Sequence, residues 1–125
     1  MRLFFVLCIA ACGSSGPSGP AMAGAGQVGA PCAADGDCKQ SGASCITENT
    51  NNTWPGGYCT VKGCPQVACP DGSYCQEGHT ALANTTCFYK CATDANCRAG
   101  YKCCEVTMPA GTGVKVCAAT GVLCQ

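Results

Sequence analysis

The chain has 125 residues, seven Lys/Arg against seven Asp/Glu, a single histidine and sixteen cysteines. A balance this flat gives no support for nucleic acid or an anionic surface as partner. From residue 13 onward only eleven of 113 residues are Leu, Ile, Val or Phe, which excludes a conventional apolar core and leaves cysteine to supply the stability.

The first element is a leader. Arg2 precedes the uncharged run Leu3 to Ala11, which is far shorter than the ~20 apolar residues of a membrane-spanning helix. Residues 1–11 therefore read as an export signal and take no part in the fold. Cys8, inside that run, is a small apolar residue removed with it. Ile9-Ala10-Ala11-Cys12 follows: an aliphatic residue, two small residues and a cysteine. This resembles the lipobox of bacterial lipoproteins. The resemblance implies that Cys12 becomes the N-terminus and carries acyl chains, and two or more chains hold a protein on a membrane stably. Gly13 at the next position, where an Asp would otherwise stand, implies by the same resemblance passage to the outer membrane, with the domain facing periplasm or cell surface. Ala21-Met22-Ala23 offers the alternative of an ordinary signal-peptidase site and a secreted chain. Residues 12–31 are then the lipidated cysteine plus a tether rich in Gly, Ser, Pro and Ala, spanning roughly 20–25 Å r.m.s. if flexible.

The disulfide-rich domain is expected over 32–124. Cys32-x5-Cys38-x6-Cys45-x13-Cys59 is echoed by Cys91-x5-Cys97-x6-Cys104-x12-Cys117, with Cys64-x4-Cys69-x5-Cys75-x11-Cys87 as a shorter version between them. These spacings divide the domain into units of about 32–59, 64–87 and 91–124, with Cys103 and Cys124 left to pair with each other or across units. Within each unit an interleaved pairing, first with third and second with fourth, is expected. There is no C-x2-C and the only histidine is His79, so zinc spacings are missing and no metal or other cofactor is expected. Each bridge contributes roughly 2–4 kcal/mol, enough in sum to replace a core, and such bridges persist only in an oxidising compartment.

Asp35-Gly36-Asp37 and Asp94-Ala95-Asn96 read as turns, because Asp and Asn side chains bond the nearby backbone. The competing reading, a calcium loop, lacks the rest of a ligand set. Hairpins are expected from Ser44–Thr47 with Gly57–Val61, and from Tyr101–Val106 with Val114–Ala118. On a strand Cys103 and Cys104 face opposite sides and should bond different partners. Trp54 and Tyr58, in Trp54-Pro55-Gly56-Gly57-Tyr58, have two readings: packing over a disulfide, or an exposed loop contacting a protein or glycan. Asn51-Asn52-Thr53 and Asn84-Thr85-Thr86 match the glycosylation sequon and would matter only in a eukaryotic chain.

The fold class expected is therefore small and disulfide-rich, with short β-hairpins, irregular loops, three similar four-cysteine units and little helix outside the leader. No catalytic residues emerge. His79 has no acidic neighbour, the serines fall in the tether and turns, and a redox role would want C-x-x-C. The pattern over 32–117 resembles that of small cysteine-rich lipoproteins of Gram-negative bacteria, which implies a membrane-anchored protein with a binding or structural role and an unidentified protein or glycan ligand. Locally, Cys91-x5-Cys97-x5-Cys103-Cys104 is similar to the centre of whey acidic protein (four-disulfide core) domains. That likeness implies the alternative of a secreted serine protease inhibitor, presenting a loop such as 76–86.

Overall fold

The computed structural model describes residues 21–47, 54–77 and 85–124. Three antiparallel hairpins follow one another along the chain. Strand β1 (Ala43–Ile46) pairs with β2 (Tyr58–Val61), β3 (Ser73–Gln76) with β4 (Thr86–Tyr89), and β5 (Tyr101–Glu105) with β6 (Lys115–Ala119). Thr, Val, Ile, Tyr and Phe supply the strand preference in each. An isolated two-stranded hairpin is marginal in water, so each needs a partner or a staple.

The staples are seven disulfides. Cys32–Cys45 and Cys38–Cys59 close the first unit, and Cys64–Cys75 and Cys69–Cys87 the second. Cys91–Cys103, Cys97–Cys117 and Cys104–Cys124 close the third. The interleaved pairing holds in all three units, but the third uses Cys103 where Cys104 is expected, and the leftover bond is Cys104–Cys124. The reason is register. Cys45 lies directly opposite Cys59 and Cys75 opposite Cys87, and the equivalent partner of Cys117 across its hairpin is Cys103. Cys103 and Cys104 bond different partners, as neighbours on a strand must.

The hairpins are joined through β2, β4 and β6. Lys62 bridges to Thr86 and Lys90 to Val116, Thr60 Oγ1 donates to the Cys87 carbonyl at 2.7 Å, and the Cys91 N–H donates to the Lys115 carbonyl at 3.0 Å. Between them sits a small core of Trp54, Tyr58, Val61, Phe88, Val106 and Val116. Trp54 and Tyr58 are each 1% exposed, and their rings pack on each other and on Phe88 at 5.3–5.9 Å together with Tyr101. Trp54 and Tyr58 therefore pack inward, and they do not form an exposed contact loop. Aromatic rings bury a large area per residue, and four of them offset the scarcity of aliphatics.

The tether expectation also changes. Val28 and Ala30 are buried, the Gly29 N–H donates to the Cys59 carbonyl at 2.9 Å, and the Cys59 N–H returns a bond to the Ala30 carbonyl. Ala21 to Pro31 is thus part of the domain, and only 13–20 remain between Cys12 and the described chain. No helix among the described residues is long and apolar enough to cross a membrane.

Candidate functional site

A cleft of about 280 Å³ opens where the N-terminal segment meets the third unit. Met22, Ala23 and Pro31 line it on one side and Tyr89, Arg98 and Tyr101 on the other. The sequence gives this segment its course through glycine. Gly29 has φ of +94°, and a Cβ there would lie 2.7 Å from that of Tyr89, so no larger residue lets the chain pass so close. The Ala21 carbonyl accepts from Tyr89 Oη at 3.0 Å and from Asn96 Nδ2 at 3.1 Å. Two side chains from different units thereby fix the point where the chain enters the domain.

Arg98 is the one cation in the cleft among the described residues. Its Nε donates to the Gly29 carbonyl at 3.0 Å, one Nη to the Pro55 carbonyl at 2.6 Å and the other to the Gly57 carbonyl. The guanidinium carbon lies 4.2 Å from the centre of the Tyr101 ring. A planar fork stacked on an aromatic face and aimed at three carbonyls is arginine in a structural role. It ties the N-terminal segment, the first hairpin and the third unit together. The Tyr58 hydroxyl is buried among the same elements, and desolvation pushes its pKa well above the ordinary phenol value, so it stays neutral.

The two Asp/Asn turns form, each as a short 3-10 turn, Asp35–Asp37 and Asp94–Asn96. Asp37 Oδ2 accepts from the N–H groups of Ala33 and Ala34 at 2.8 and 3.0 Å, and Asn96 Oδ1 accepts from those of Ala92 and Thr93. The two Ala N–H bonds hold the Asp37 carboxyl below its ordinary pKa. Asp35 Oδ1 takes the Cys45 N–H and Asp94 Oδ1 the Cys103 N–H, both at 2.8 Å. These oxygens are occupied by backbone donors, which accounts for the residues as turn formers.

Three groups of cysteine sulfurs lie within 4.8 Å of one another: Cys32, Cys38 and Cys59; Cys64, Cys69 and Cys75; Cys91, Cys97 and Cys117. Every one of these sulfurs is in a disulfide. A metal needs thiolate, so these are knots of crossing bridges rather than ligand sets. Cys12, His79, Asn51, Asn84 and most of the loop 76–86 lie outside the described residues. The cleft itself escapes sequence reasoning, because Met22 and Pro31 sit in a stretch whose composition reads as linker. The signal that could have found it is Val28, a lone branched apolar residue in that linker.

Comparison with protein families, with curated proteins and with solved structures finds no match for this chain.

Proposed function

We propose that the chain is an exported lipoprotein, anchored through acyl chains on Cys12, which displays a disulfide-stapled, non-catalytic domain for binding or structural support. What carries the reading is the cysteine accounting. The seven bridges use all fourteen cysteines from Cys32 to Cys124, so the domain offers Cys12 no disulfide partner, and Cys12 follows Ile9-Ala10-Ala11. Dense disulfides fit an oxidising compartment, and the outer membrane is the destination that Gly13 favours. The three units, alike in pairing and hairpin, fit a small scaffold built by repetition.

Packing at Ala21 speaks against the secreted alternative, since cleavage after Ala23 would remove the carbonyl that Tyr89 and Asn96 hold. It also shortens the tether to the eight residues 13–20. Eight residues span about 15 Å r.m.s. as a flexible linker and at most roughly 28 Å fully extended. The domain is therefore held within about 28 Å of the lipid surface.

The test is fractionation with intact mass. The native chain is expected in the membrane fraction with acyl mass on Cys12, and Cys12→Ser is expected to leave it. A native chain recovered in the soluble fraction with an unmodified N-terminus near Ala21–Ala23 overturns the proposal.

A further inference from the structure

The polar side chains that line the cleft are engaged within the fold, with one exception. Tyr89 Oη and Asn96 Nδ2 both donate to the Ala21 carbonyl, and Asn96 Oδ1 accepts from the N–H groups of Ala92 and Thr93. The Tyr58 hydroxyl donates to the Cys117 carbonyl and accepts the Tyr89 N–H. The Tyr101 hydroxyl donates to the carbonyls of Pro55 and Gly57. Arg98 differs. Its bonds to the carbonyls of Gly29, Pro55 and Gly57 use one N–H on each nitrogen, which leaves one on each Nη.

Those carbonyls are dipoles and leave the charge of Arg98 in place. The single ion pair among the described residues joins Lys102 to Asp94, so no carboxylate neutralises the guanidinium. Arg98 is half-buried, and a cation drawn out of water is stabilised by a paired anion. The rest of the wall is mainly apolar, built from Met22, Ala23, Pro31 and the ring of Tyr89. Met22 is 57% exposed, more than any other large apolar residue among the described ones, which puts it at the rim.

We infer that the cleft binds a free apolar monocarboxylate, its carboxylate on the Arg98 guanidinium and its hydrocarbon body against Met22, Ala23, Pro31 and Tyr89. Charge-assisted hydrogen bonds of this kind are roughly twice as strong as neutral ones. A volume of about 280 Å³ holds about nine groups of ~30 Å³ each, close to the size of an eight-carbon acid. A peptide C-terminus carries the same carboxylate. Its backbone amides, however, would meet apolar walls and polar groups already bonded, and unmatched polar groups cost binding. The free acid is therefore the better fit. The inference rests on the binding role proposed above and names its ligand. It does not draw on the anchor, so the two fail in separate experiments.

The test uses the full exported chain with Cys12→Ser, which carries no acyl chain to compete for the cleft. Octanoate, octanol, octylammonium and N-acetylleucine are each titrated in. Binding is followed by amide chemical shifts and by fluorescence of Trp54, whose ring lies 5.4 Å from that of Tyr58 in the cleft wall. Octanoate is expected to bind saturably with a dissociation constant below about 1 mM. Octanol and N-acetylleucine are expected to bind about ten-fold more weakly, and octylammonium not at all. Shifts are expected at Ala23, Gly29 and Arg98. None is expected at Val67 or Met108, exposed apolar residues that do not line the cleft. Arg98 also holds the fold together, so the variant is placed at Met22. Met22→Glu, at an exposed position, is expected to keep the urea midpoint and to weaken octanoate at least about five-fold through repulsion at the rim. No saturable octanoate binding, octanol binding as tightly as octanoate, shifts only outside the cleft, or unchanged affinity in Met22→Glu overturns the inference. Tighter binding of N-acetylleucine than of octanoate overturns it too, in favour of a peptide C-terminus.

Discussion

The hydroxyl of Tyr58 donates to the Cys117 carbonyl at 3.0 Å, across 59 positions of sequence. The same oxygen accepts the Tyr89 N–H at 3.0 Å, so one atom on β2 bonds both β4 and β6. Tyr58→Phe keeps the ring and its packing but strands a half-buried N–H and a buried carbonyl. Leaving a buried polar group unmatched costs about 1–3 kcal/mol, so the variant should be less stable by about that amount in urea unfolding with the disulfides intact. A loss below about 0.5 kcal/mol would mean that water replaces the hydroxyl and that the hairpins are held by their bridges alone.

Arg98→Lys tests the second junction. Lysine keeps the charge but loses the planar fork and the stacking, and its ammonium cannot reach the carbonyls of Gly29, Pro55 and Gly57 together. Hydrogen bonds to a charged group contribute about 1.5–3 kcal/mol each, and the loss of part of this set should destabilise the domain by about 2–3 kcal/mol. The effect should be local before it is global. The amides of Gly29 and Ala30, which pack beside the arginine, should exchange faster while those of β3 and β4 stay protected. Uniform acceleration across the chain would contradict this account of Arg98.

These two residues show where sequence reading stops. The outer hairpins are legible because Ile46, Tyr58, Val61, Tyr101 and Val116 cluster on either side of Gly- and Pro-rich turns, and the observed strands fall within about two residues of expectation. The interleaved pairing is legible from spacing in the first two units. It fails in the third because adjacent Cys103 and Cys104 offer both an x5 and an x6 step, and only the register opposite Cys117 decides between them. Ala21 to Pro31 reads as linker because its composition is that of a linker. Its order comes from Gly29, Arg98 and Asn96, contacts between residues about 70 positions apart that no local pattern carries. The inward course of Trp54 is tertiary in the same sense, since it depends on Phe88 arriving from the second hairpin.

The Cys104–Cys124 bridge can be separated from the others. Six disulfides close the three units two by two, and the seventh ties the C-terminal turn at Val122 and Leu123 to the outer face of β5. Replacing both Cys104 and Cys124 by serine should leave the other six pairs intact by peptide mapping, with a stability loss of about 2–4 kcal/mol. Replacing Cys103 and Cys91 by serine instead should cost as much, with the Asp94 turn then held by its carboxylate's bond to the backbone N–H at 103 and no longer by the bridge. If the first pair of substitutions scrambles the remaining bridges, the seventh bond directs folding as well as stabilising its product.

The turns at Asp37 and Asn96 predict a pH dependence with a definite sign. Both side chains accept two N–H bonds from the residues just upstream, and only Asp37 titrates. The bonds from Ala33 and Ala34 favour the carboxylate, so its folded pKa lies below the ordinary 3.8. A group whose pKa is depressed by folding adds stability above its unfolded value and loses it as pH falls through the folded one. Below about pH 4, then, this contribution drains away, while the equivalent turn at Asn96 is unaffected. Asp37→Asn should keep the turn, since asparagine performs the same task in the third unit. Its urea midpoint should sit below that of the native chain near neutral pH and converge with it at about pH 2. Asp37→Ala, with no acceptor, should stay below both throughout. A native-to-Asn difference that does not narrow between about pH 6 and about pH 2 would show that the Asp37 charge plays no part in holding the turn.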